Sequence, residues 1–81
     1  MQKGYNSNIS VRGKDYHIQT EDWGDKNPFI VTRVFHNGAV VKSVKTHYLD
    51  VFQNGPVNDL KAIELALKKQ HQSVMDQVFS L

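Results

Sequence analysis

Apolar and polar residues alternate in two runs through "NISVRGKDYHIQT", with Arg12-Gly13 between them. A glycine supplies the positive φ that a two-residue hairpin loop needs, so the segment is expected to fold as two antiparallel strands. Pairing across that loop sets Ile9 opposite Tyr16 and Ser7 opposite Ile18. One face then carries Tyr5, Ile9, Val11, Tyr16 and Ile18. The other carries Asn6, Asn8, Ser10, Arg12, Asp15, His17, Gln19 and Glu21. Such a separation predicts one buried and one solvated face.

A second hairpin is predicted over "FIVTRVFHNGAVVKSVKTHY", because Asn-Gly is the strongest short turn signal. With a two-residue loop, Phe29, Val31, Arg33, Phe35, Val40, Lys42 and Val44 share one face. Ile30, Thr32, Val34, Val41, Ser43 and Lys45 share the other. A three-residue loop with a bulge exchanges one strand's faces relative to its partner's, so the register stays open. Under either choice both faces are partly apolar.

The period then changes. "DVFQNGPVND" ends the strands, since Asn54-Gly55-Pro56 forbids their continuation, and Asn58 and Asp59 suit a helix N-terminus. From Leu60 to about Phe79 the apolar residues Leu60, Ile63, Leu67, Val74 and Val78 recur at helical spacing, widened by Ala66, Met75 and Phe79. The expected fold is α+β, a four-stranded antiparallel meander over 5–49 with one long helix over 58–80 packed on it (ββββα). The 1–81 stretch is read as a single domain. A helix of that length spans ~30 Å, whereas four strands make a sheet only ~15–20 Å wide. The end "SVMDQVFSL" is therefore expected either to curl back onto the sheet or to pack on a second copy or another protein.

Composition narrows the function more than the fold. A chain of 81 residues without Cys has no disulfide or Cys-based metal staple, and one core of this size supports roughly 3–5 kcal/mol of net stability. Self-association is one way to add to that. The lack of Cys is compatible with a reducing compartment, and a cytoplasmic location is expected. No apolar run reaches the ~18 residues of a membrane span, and "MQKGYNSN" has no apolar core of a signal peptide. Ten Lys and Arg against eight Asp and Glu leave a net charge of only +2, too small to argue for nucleic acid on its own.

No residue pattern points to catalysis. His17, Gln19 and Glu21 point one way along a strand, but they fall short of a zinc ligand set, and "EDWGDKN" lacks the spacing of a calcium loop. There is no nucleophile motif or phosphate-binding glycine loop, so no enzyme, metal, cofactor or small-molecule substrate is expected. His71, near the helix stripe, reads as a satisfied core histidine. Trp23 is either a ring folded over the open end of the core or a contact loop for a partner. In the two-residue register Arg33 and Lys42 stand opposite each other among Phe29, Val31 and Phe35. That mixture can stack bases and hold phosphates. Lys14 and Lys45 do not extend it, and the acidic corner opposes it.

Taken together, "RGKDYHIQTED", "KNPFIVTRVFHNG", "SVKTHY" and "QHQSVMDQ" resemble a group of small uncharacterised bacterial proteins, over most of the chain from about Asn6 to the helix end. The resemblance implies a bacterial, intracellular, single-domain protein and carries over no site residue. The expected function is a non-enzymatic protein-interaction module. It would be a homodimer, or bind another protein, by burying Val74, Met75, Val78 and Phe79. The alternative is a nucleic-acid binder using Phe29, Arg33, Phe35 and Lys42.

Overall fold

The computed structural model of the chain describes residues 4–24, 26–51 and 60–81. Four strands, β1 (Gly4–Val11), β2 (Lys14–Asp22), β3 (Phe29–His36) and β4 (Ala39–His47), form one antiparallel meander in sequence order. A short helix, α1 (Tyr48–Val51), leaves β4, and a 20-residue helix, α2 (Leu60–Phe79), packs on the sheet. The α+β meander-plus-helix expected from the periodicities is the fold observed. The expected break at Asn54-Gly55-Pro56 and cap at Asn58 lie outside the described residues.

Both hairpins turn through two left-handed residues, Arg12 and Gly13 (φ 52° and 79°) and Asn37 and Gly38 (51° and 80°). Two successive positive φ values match the right-handed twist of the flanking strands. The first hairpin has the expected register, with Ile9 facing Tyr16 and Ser7 facing Ile18. In the second, His36 pairs with Ala39 and Phe35 with Val40, as a two-residue loop requires. The register then shifts, and Val34 pairs with Lys42, so Val41 is an extra residue in β4. Beyond that bulge the faces of β4 exchange. Lys42 and Val44 leave the face of Arg33, while Ser43 and Lys45 join it, which corrects the two-residue assignment.

α2 lies chiefly across β2 and β1 and touches β3. Its stripe splits into two apolar clusters. Val74 and Val78 meet Ile18 and Val34, flanked by Ile9, Val11, Tyr16, Val44 and Met75. Ile63, Ala66 and Leu67 meet Ile30, with Tyr48 beside them. Between them runs one polar turn, Gln70 and His71, facing Thr20 and Thr32, which are fully buried. The end of α2, still helical, packs Val74 and Val78 on its own sheet. Val74 and Val78 are core residues, and Phe79 and Leu81, 52% and 63% exposed, remain outside.

Candidate functional site

The polar turn under α2 is the first place to look for chemistry, because a serine, a histidine and a threonine line up there. Ser7 Oγ lies 2.8 Å from His71 Nε2, and Thr20 Oγ1 lies 2.8 Å from His71 Nδ1. Thr32 Oγ1 is 2.8 Å from Thr20 Oγ1, and Gln70 Nε2 is 3.0 Å from Thr32 Oγ1. The two hydrogens of the Gln70 amide are shared between Thr32 Oγ1 and the carbonyl oxygens of Ile30 and Val44, 3.2 and 3.3 Å away.

Proton bookkeeping gives this chain a direction. An amide nitrogen accepts nothing, so the Thr32 hydroxyl hydrogen has only Thr20 Oγ1 to go to. Thr20 then donates to His71 Nδ1, and His71 donates from Nε2–H to Ser7. Every buried side-chain polar atom among the described residues has a partner. In this tautomer the imidazole presents a hydrogen, not a lone pair, to Ser7, so the pair is not arranged for nucleophilic attack. Burial lowers the pKa of His71 from its ordinary value, and like-charge repulsion from His17 lowers it further. The turn reads as a polar lock between helix and sheet.

Among the described residues no helix packs on the other face of the sheet. Its side chains form rows across the strands: Asn8, His17, Phe35 and Val40; Asn6, Gln19, Arg33 and Ser43; then Glu21, Val31 and Lys45. Val31 points to this face and is nevertheless only 4% exposed. Trp23 lies beside it on this face. Its ring lies 5.1 Å from Lys45 Nζ and 5.6 Å from the Arg33 guanidinium carbon, the two cations that flank Val31. Lys45 Nζ is also 4.1 Å from the Phe29 ring, and Phe29 meets His47 edge-on at 4.9 Å between centroids.

Local chain geometry explains how Trp23 reaches the face. β2 runs on through the acidic residues to Asp22, which accepts hydrogen bonds from Gly24 N and from the Tyr48 hydroxyl. Trp23 N donates to Phe29 O at 3.0 Å, and Gly24 adopts φ 89°, a conformation glycine tolerates without strain. Trp23 therefore sits half-buried on the uncovered sheet face rather than over the end of the core.

Of the expected nucleic-acid residues, Phe29, Arg33 and Phe35 share this face. Lys42 does not: it pairs with Val34 and lines a cleft of about 640 Å³ beside α2, with Lys69, Gln72 and Asp76. Lys45, set aside in the sequence reading, takes its place. The signal for it was the Val40-Val41 doublet, which breaks the alternation where the bulge falls. Of the expected helix-end residues, Val74 and Val78 are buried and Met75 half-buried, leaving Phe79 exposed. Among the described residues no group of three His, Asp or Glu is placed to hold a metal ion, and no helix is long and apolar enough to cross a membrane. Comparison with protein-family models, curated proteins and solved structures finds no match to this chain.

Proposed function

We propose that the chain is a non-enzymatic binding module that takes a single strand of nucleic acid across its open sheet face. Bases stack on the half-buried rings of Trp23, Phe29 and Phe35, and phosphates meet Arg33 and Lys45. One observation carries the reading: two cations stand over aromatic rings on the face that α2 leaves bare. Among the described residues neither cation has a carboxylate partner, so both charges remain to meet phosphate. Base–aromatic stacking is worth ~1–3 kcal/mol per base and tolerates any sequence. A duplex buries its bases, so this platform favours single strands.

The test is fluorescence anisotropy of a labelled single strand titrated with the protein at several salt concentrations. Binding that weakens with salt, weakens further in Arg33→Ala and is poorer for duplex supports the reading. No binding at low salt removes it.

A second reading keeps the expected self-association. Leu81 and Val41, both exposed, line one hollow of about 250 Å³ at the helix end, and Phe79 is exposed two residues earlier. A second copy covering these residues gives a dimer by light scattering that Phe79→Ser dissociates. A monomer at every concentration retires it.

A further inference from the structure

The open face has a second feature, at the end where the two hairpin turns lie, and it bears on which base the strand presents there. Asn8, Ser10, Asp15, His17, Phe35 and Asn37 line a concavity of about 570 Å³. His17 Nδ1 lies 2.9 Å from Asn8 Oδ1. An amide oxygen only accepts, so the imidazole donates, and Asn8 is left with its NH₂ group as a donor. The His17 and Phe35 rings lie 6.0 Å apart and tilted by 41°. A half-buried aromatic ring thus lines the hollow. Asp15, one row further toward the turns and opposite Ser10, is exposed and adds two carboxylate oxygens.

We infer that this concavity is a guanine pocket, an inference that rests on the strand-binding reading for the source of the base. The argument is one of matching edges. A carboxylate offers two acceptors side by side and no donor. Among the four bases, guanine alone presents two adjacent N–H donors on its pairing edge, N1–H and N2–H, with the acceptor O6 next to them. Asp15 accepts from both donors and the Asn8 amide donates to O6, while the base lies against Phe35. Asn8 and Asp15 are diagonal neighbours on a strand pair, a spacing of ~7–8 Å, which the edge of one base bridges. Adenine, cytosine and thymine or uracil each place a ring lone pair or a carbonyl oxygen against one of the carboxylate oxygens. Repulsion replaces the second hydrogen bond. His17 is a positioning residue here, since it holds the Asn8 amide with its nitrogen outward.

The same edge is offered by a free guanine nucleotide and by a guanine within a strand, and the experiment separates them. Anisotropy compares a labelled thymidine strand with the same strand carrying one guanine, for wild type and Asp15→Ala. Guanosine monophosphate is titrated separately by amide chemical shifts. The expected result is about 5-fold or tighter binding of the guanine strand, the low end for a bidentate base contact, with no gain from adenine or cytosine at the same place. Asp15→Ala abolishes the preference, and any change from the lost negative charge is equal for both strands. Equal affinity in wild type, or a preference that survives Asp15→Ala, overturns the pocket. Guanosine monophosphate shifts at Asn8 and Asp15 without binding of either strand overturn strand binding and leave a nucleotide pocket. Silence from every ligand overturns both.

Discussion

The two faces of this sheet come from the same four strands in alternation, yet they treat polar groups in opposite ways. Under α2 each polar side chain is answered by another from the chain itself, from Gln70 through Thr32, Thr20 and His71 to Ser7. A buried donor or acceptor without a partner costs ~1–3 kcal/mol, so this closed arrangement is what allows a polar turn inside so small a core. On the open face the cations stand over aromatic rings. The covered face satisfies its polar groups within the chain, while the other face sets its cations against aromatic rings.

The comparison breaks most readily at the core. Leu67 is fully buried beside Ile30, Ile63 and Ala66. Leu67→Ala is expected to cost ~2–5 kcal/mol, most or all of the roughly 3–5 kcal/mol available to a domain of this size. Urea titration followed by circular dichroism should find the variant largely unfolded without denaturant. A midpoint close to wild type would mean that α2 is not held as described.

The polar lock gives the next largest effect, through pH. Protonated His71 turns an N–H toward Thr20, which must then point at Thr32, whose own hydrogen faces the Gln70 amide with nowhere to go. The pKa of His71 is lowered in the folded protein, by burial first and by His17 second. The unfolded chain, with a value near 6.5, takes up the proton first. The contribution of His71 to stability is therefore present above about 6.5 and is lost as pH falls below it, by at most ~1.4 kcal/mol per pH unit for one proton. His71→Gln should flatten that part of the profile relative to wild type, measured by urea midpoints between mildly acidic and neutral buffer. Parallel profiles would place the proton elsewhere.

The helix-covered face was largely legible in the sequence, and the open face was not, for a physical reason. Burial imposes a period, and the 3.6-residue recurrence of Ile63, Leu67, Val74 and Val78 and the alternation of Ile9, Tyr16 and Ile18 both survive in the structure. Thr20 and Thr32 fell in phase with those residues, yet nothing in their spacing told which partners they would find. The open face depends on a single inserted residue. Because strand faces alternate with period two, one bulge at Val41 reverses every side chain after it. Trp23 is harder still, since its position depends on a corner whose direction follows from Gly24 and from the Trp23–Phe29 backbone bond. The expected dimer surface at Val74 and Val78 reflects the same limit. Helical spacing identifies an apolar stripe and does not say whether the chain's own sheet is wide enough to cover it.

The smallest stability effect is the one that sharpens the contrast. Lys45 is exposed, and its ammonium stands over the Trp23 and Phe29 rings. Lys45→Ala is expected to move unfolding free energy by no more than ~0.5 kcal/mol, the usual range for a surface change. It should nonetheless weaken single-strand binding and flatten the dependence of log affinity on log salt by ~0.7, the share of one phosphate contact. Lys42→Ala removes the same charge from the same strand, three residues away but on the other side of the sheet. Its effect on binding should be the smaller of the two. Equal losses from the two variants would mean that the strand responds to net charge alone, and the bulge would then have no bearing on where it binds.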